Sequence, residues 1–335
     1  MSPRPGRAAR TPRYTVEIIR RSTRKATPAR SPGSSLGKGV LCKAYMTALL
    51  SFAAFASIGS GATLSQEPAP AVPARESIPM YVSEDHMVVM LRLGDHPPAP
   101  VIFDTGTTGN VLDQVYAKRL GLPEVRATTT TDGTLGQTVK GYETSLKGAR
   151  LGGVAIGDET AVVLDYPLGD MVGIFGPFNF PGRLLTLDFE RSRILIETKT
   201  PATTPKGPGI PYAEDGLPQL PLTLAGTEIM ATLDSGNNSP LLLPTSLAKR
   251  LPLRGPLVPV GQSVSAAGTQ TTYQARLKGK VRVASVELKD PEILFVDNTV
   301  PNVGFPLIRR LGLTFDPTGG RMWISGKSPL LIRIL

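Results

Sequence analysis

From residue 78 onward, apolar positions fall in brief solid or alternating runs, each cut off by Gly, Pro, Asp or Asn. Val101-Ile-Phe103, Leu185-Thr-Leu187, Ile194-Leu-Ile196, Leu313-Thr-Phe315 and Met322-Trp-Ile324 are of this kind. Runs this short, bounded by turn formers, predict strands rather than helices. Only two stretches predict helices, and both contain Ala-Lys-Arg-Leu, at 117–120 and at 248–251. Asp113 and Thr245 or Ser246 are their candidate caps. The expected fold is mostly β.

The pattern also repeats. Ile78-Pro79 and Ile210-Pro211 stand 26 and 24 residues before Asp104 and Asp234, and both aspartates end an apolar run: Val101-Ile-Phe-Asp104 and Ala231-Thr-Leu-Asp234. Asn110-Val-Leu112 and Pro240-Leu-Leu242 follow at the same offset, then the two Ala-Lys-Arg-Leu pieces, then Ile174-Phe-Gly176 and Asn302-Val-Gly304. Twelve residues after each of these glycines comes another aspartate, Asp188 or Asp316, expected to shape a turn. So many features at nearly fixed spacing mark a duplication. The expected organisation is two β-rich lobes, 78–198 and 210–335, joined by the Pro/Gly/Thr-rich linker 199–209.

The segment before the repeat is different. Residues 1–43 are rich in Arg, Pro, Ser and Gly and predict a basic disordered extension. Residues 44–62 are mostly apolar, too short to span a bilayer comfortably, and end in small residues at Ala62. With Lys43 before them they suit a secretory signal, followed by a Pro/Ala-rich linker at 63–77. Translation is expected to begin nearer Val40 or Leu41. The expected location is outside the cytoplasm, periplasmic or secreted in a bacterium, with membrane attachment only if 44–62 stays uncut.

Charge changes the picture less than it first suggests. The net charge is +10, yet residues 1–43 hold eleven basic side chains and one acidic, Glu17. The other 292 residues balance at 26 of each sign, so the folded part has no net field to attract a nucleic acid. Cys42 is the one cysteine, and the histidines are His86 and His96. A three-histidine metal site, thiolate ligands and a cysteine nucleophile are excluded. No Gly-x-Ser-x-Gly elbow or phosphate-binding loop is present, and no metal or cofactor is expected.

What remains is the pair of carboxylates. Asp104-Thr-Gly-Thr107 and Asp234-Ser-Gly-Asn237 each deliver one aspartate from a buried strand into a tight turn. Brought together in a dry seam, two such groups cannot both ionise cheaply, so one keeps a proton and the pair offers an acid and a base at one point. Gly106 and Gly236 allow the tight turns, with N–H groups directed at the carboxylates. Thr105 and Ser235 are placed to hydrogen-bond across the seam.

These triplets, each answered by an apolar-apolar-Gly element, resemble those of the aspartic proteases. Lobes this short are similar to retropepsin-like domains fused in tandem, rather than the longer pepsin type. The resemblance covers about residues 78–326. It implies a bilobal acid-protease fold, a catalytic Asp104–Asp234 dyad that activates water, and extended peptide or protein substrates. With both halves in one chain, a second copy is unnecessary for building the site, and a monomer is expected. The resemblance also implies a hairpin flap. Gly136 leading to Tyr142, and Gly268 leading to Tyr273, are the candidates, the tyrosines lying 38 and 39 residues after their aspartates. Asn237 departs from the pattern, standing where pepsin-like members carry Ser or Thr and retropepsins carry Ala; its side chain can donate to a carboxylate. A catalytically silent peptide-binding or interaction module with the same fold is the alternative.

Overall fold

Each active-site aspartate candidate ends a strand whose last residues are buried on both faces. In a computed structural model, Ala99–Phe103 runs into Asp104 with Val101, Ile102 and Phe103 fully buried. Thr227–Asp234 carries the second aspartate, with Ala231 and Leu233 equally buried. The structure describes residues 74–132, 137–157, 159–166 and 168–325, together with short strands at Ile19–Arg20 and Leu330–Ile332. The apolar segment 44–62, most of the linker after it and Gly136 lie outside the described residues.

The two halves repeat one topology. In the first, strands follow the order 126–132, 138–145, 160–164, 111–113, 173–175, 99–103 and 87–92. In the second the order is 258–265, 268–276, 292–296, 241–244, 302–304, 227–234 and 219–224. At the centre of each, the strand ending in aspartate pairs in parallel with the apolar-apolar-Gly strand. Ile174 stands opposite Ile102, and Asn302 opposite Thr232. A segment flanked on both sides and covered on both faces is buried at every position, which is why Val101-Ile-Phe103 does not alternate; in the second strand Thr227–Met230 alternates between half-buried and exposed, and only Ala231–Asp234 is buried throughout.

The ends of the two halves meet in a third sheet of six strands, ordered 210–211, 321–325, 312–316, 183–188, 193–198 and 75–79. Its middle pair is antiparallel, with Thr186 opposite Thr314 and their hydroxyls 2.9 Å apart. The chain thus forms a mostly β, two-lobed fold. The strand Arg75–Pro79 starts inside the stretch read from sequence as linker, because Arg75–Ser77 pair with Leu195–Glu197.

Three local expectations meet different outcomes. Asp113 caps the helix Gln114–Arg119 by accepting the N–H of Tyr116 at 2.8 Å. The second helix, Thr245–Ala248, already begins at the proposed cap Thr245, so Pro244 holds the cap position and the Thr245 hydroxyl turns to Asp297. Asp188 accepts the N–H of Arg191, and Asp316 that of Gly319; each shapes a turn, and buried Asp316 also holds Lys199.

The glycines ending the apolar-apolar-Gly strands are required by close approach. A Cβ on Gly304 would sit 1.9 Å from the Ser239 carbonyl oxygen and 2.7 Å from that of Asn237; one on Gly176 would sit 2.8 Å from the Asp104 carbonyl oxygen. Both neighbours are backbone of the aspartate loops and cannot swing aside. Gly304→Ala is therefore expected to destabilise the protein by about 3 kcal/mol. Gly261→Ala, where a Cβ meets open space, should change stability little; urea midpoints of the two variants provide the check.

Candidate active site

The two aspartate loops meet across the seam between the lobes. The Gly106 N–H donates to Asp104 Oδ1 at 2.8 Å. The N–H groups of Gly236 and Asn237 donate to Asp234 Oδ1 at 2.9 and 3.1 Å. Gly236 also reaches across the seam, its N–H lying 3.0 Å from Asp104 Oδ1. One N–H is therefore shared by the Oδ1 atoms of both carboxyls.

Reciprocal bonds lock the loops in this register. The Thr105 hydroxyl donates to the Leu233 carbonyl at 2.8 Å and accepts the Ser235 N–H at 3.1 Å. The Ser235 hydroxyl donates to the Phe103 carbonyl at 2.9 Å and accepts the Thr105 N–H at 2.9 Å. Both hydroxyls are buried, so losing either leaves a buried N–H and a buried carbonyl unmatched, at about 1–3 kcal/mol per group. A hydroxyl that donates and accepts at once is needed here, which accounts for Thr and Ser at these positions.

Burial governs the electrostatics. Both carboxyls are fully buried. Loss of hydration pushes Asp104 above the usual carboxylate range, opposed by the Gly106 N–H, the contact with Asp234 and the Gly236 N–H. Asp104 Oδ2 receives no donor among the described residues. Such a pair holds one proton between two carboxyls over a range of pH, placing an acid beside a base.

The sequence as a whole agrees with this geometry: the aspartyl protease family matches at residues 89–176 and 220–315, more than half of the chain. The chain belongs to the aspartyl protease family. No curated protein shows significant similarity to it.

As in the sequence pattern, the two loops are not identical. The Thr107 hydroxyl donates to the Gly109 carbonyl at 2.7 Å. The Asn237 side chain, expected to serve a carboxylate directly, donates instead to Asn302 Oδ1 at 2.8 Å; it is the Asn237 backbone N–H that serves Asp234. Asn302 in turn donates from Nδ2 to Asp234 Oδ2 at 2.5 Å. Asn302 was not singled out as a site residue by sequence reasoning, although a signal exists. It breaks the apolar pattern of its element, where the first copy has buried Ile174.

The hairpin candidates are placed as follows. Tyr142 lies on the strand Thr138–Ser145, is 8% exposed and packs in the main core, away from the hairpin turn. Tyr273 is half-buried against the same core. Gly268 sits at the turn of the hairpin 258–276 with φ +133°, paired with Ser265. That turn reaches the first lobe. Ala266 packs against the first-lobe cluster that includes Ile102, Val111, Val162 and Ile174, and the Ala267 N–H donates to Oδ2 of buried Asp132 at 2.9 Å. The pairing of Asp132 with the second hairpin is a further contact that sequence gives no sign of.

Folding disfavours the charged form of Asp104, so the folded protein holds this proton to higher pH than the unfolded chain does. The stability it contributes is complete below the ordinary carboxylate range and is lost as pH rises through the raised value. Asp104→Asn is expected to raise the urea midpoint at pH 8 and leave it nearly unchanged at pH 3. An equal effect at both pH values would contradict the assignment.

Proposed function

We propose that this member of a peptide-hydrolase family is an exported aspartic endopeptidase, with Asp104 and Asp234 as its catalytic pair. The observation that carries the reading is the single Gly236 N–H bridging two buried carboxyls from different lobes. In this reading water enters between them. Its oxygen adds to the peptide carbon, one of its protons goes to the ionised carboxylate, and the protonated carboxyl gives its proton to the carbonyl oxygen. The resulting gem-diol collapses as its C–N bond breaks, the carboxyl protonating the departing amine and a diol proton returning to the other carboxylate. No covalent intermediate forms.

Thr105, Ser235 and the two glycines hold the pair at a fixed separation, which spares the reorganisation that free carboxylates in water would need. An extended peptide lies along the seam, and the hairpin turn at Ala266–Ala267 covers it, the Asp132 contact opening to admit the chain. Export fits the apolar segment 44–62. Among the described residues no helix is long and apolar enough to cross a membrane.

Two outcomes test this. The protein is expected to cleave unstructured peptides between about pH 3 and 8, with Asp104→Asn and Asp234→Asn each lowering kcat by at least about 10³-fold while peptide binding persists. A folded protein that binds peptides and cleaves none at any pH would instead be the silent module. Amino-terminal sequencing of the exported form is expected to begin at Thr63; a first residue upstream of 44 would mean that the segment stays attached.

A further inference from the structure

The two carboxyls of the pair are not equivalent, and the difference traces to one side chain. Asp234 accepts from Gly236 and Asn237 at Oδ1 and from Asn302 at Oδ2. Asp104 accepts from Gly106 and Gly236 at Oδ1, and its Oδ2 has no donor among the described residues. Donors favour the charged form of a carboxyl, and a buried oxygen lacking one favours the protonated form.

The direction of the Asn302 amide is set by a chain of bonds that begins on the backbone. The Ser239 N–H can only donate, and it does so to Asn237 Oδ1 at 2.8 Å, where the Ser239 hydroxyl also donates at 2.8 Å. Asn237 must then present Nδ2 to Asn302, whose Oδ1 accepts at 2.8 Å. Asn302 is left with only Nδ2 to offer Asp234. Reversing either amide would set oxygen against oxygen and nitrogen against nitrogen at a fully buried site. Among the described residues the first lobe shows no matching side-chain relay to Asp104. Ile174 holds the matching place opposite Ile102, and the buried amides there, Asn110 and Asn179, bond to each other.

We propose that Asn302 is a positioning residue that sets the polarity of the pair: its amide, aimed by Asn237 and Ser239, keeps Asp234 as the ionised member and leaves the shared proton on Asp104. Asp234 then takes the proton from water and Asp104 gives its proton to the carbonyl oxygen. This assignment of roles rests on the peptidase reading above; the placement of the proton does not. Among the described residues, the groups facing the pair include the two carboxyls themselves, the N–H groups of Gly106, Gly236 and Asn237, the hydroxyls of Thr105 and Ser235 in the interlocked loops, and the Asn302 amide. Of these, only the carboxyls titrate in the acid range.

The test follows carboxyl ¹³C shifts of the full-length protein with pH, assigning the two signals from Asp104→Asn and Asp234→Asn. Asp234 is expected to ionise first. In Asn302→Ile, which repeats the first lobe's residue, and in Asn302→Ala, that lower step should rise by about one to two pH units, the equivalent of one lost bond to a charged group. Ile174→Ala, a cavity at the matching place, should leave it unmoved. The acid limb of kcat/KM for peptide cleavage should move with the lower step in the Asn302 variants, with KM little changed. If Asn302→Ile does not fold, Asn302→Ala carries the test. An unmoved lower step in a folded Asn302 variant, or a wild-type protein whose Asp104 ionises first, would overturn the proposal. The expected titration without any cleavage would overturn the peptidase reading and leave the role of Asn302 standing; cleavage with an unmoved acid limb would do the reverse.

Discussion

Two carboxyls enclosed in one dry seam cannot both be charged, and the structure around them is arranged to hold them together regardless. A pair of anions sharing one N–H would push the loops apart; a pair sharing a proton draws them in. The Gly236 N–H can bridge Asp104 and Asp234 only while the loops keep their register. That register comes from the four bonds exchanged by Thr105 and Ser235 with the opposite strand. Each loop supplies what the other lacks, so neither lobe can form the site alone.

The rest of the fold serves this junction. The strands that deliver the aspartates are dry because they lie between two neighbours and under cover on both faces. The glycines of the answering strands let those strands press against the loops without a side chain between them. The six-stranded sheet, to which both lobes contribute, ties the two halves together on a pair of facing threonines. Duplication gives near-symmetry, and the proposed chemistry needs the symmetry broken, since a pair with one proton has an acid member and a base member. The departures at Asn237 and Asn302 fall at the point where that breaking has consequences.

Much of this was legible in the sequence because it rests on local rules. Solid apolar runs ending in Asp-Thr-Gly and Asp-Ser-Gly announce buried strands entering tight turns, and their spacing announces the duplication. The hydroxyls of Thr105 and Ser235 could be assigned to the seam because only a short side chain that both donates and accepts fits there. What could not be read depends on neighbours remote in the chain. Asn237 has a donor to give, but whether it meets Asp234 or Asn302 is decided by the strand at 302–304, which sequence alone does not place. Tyr142 counts as well as Tyr273 by spacing, yet spacing says nothing of whether a strand residue faces the cleft or the core. The contact of Asp132 with Ala267 joins residues 135 positions apart with no pattern to betray it. A helix start shifted by one residue at Thr245 is the ordinary imprecision of end signals.

In the proposed reaction this pair stabilises a tetrahedral carbon formed by water addition. A peptide in which a hydroxyl-bearing tetrahedral carbon replaces the scissile carbonyl mimics that state, and its affinity for the wild-type protein and for Asp104→Asn and Asp234→Asn measures that stabilisation directly. Binding is expected to be at least about 100-fold tighter than that of the matching amide peptide, the advantage disappearing in both variants, with the hydroxyl seated between Asp104 and Asp234 in the complex. Equal affinity for the mimic and the amide, or an advantage that survives loss of either carboxylate, would contradict it.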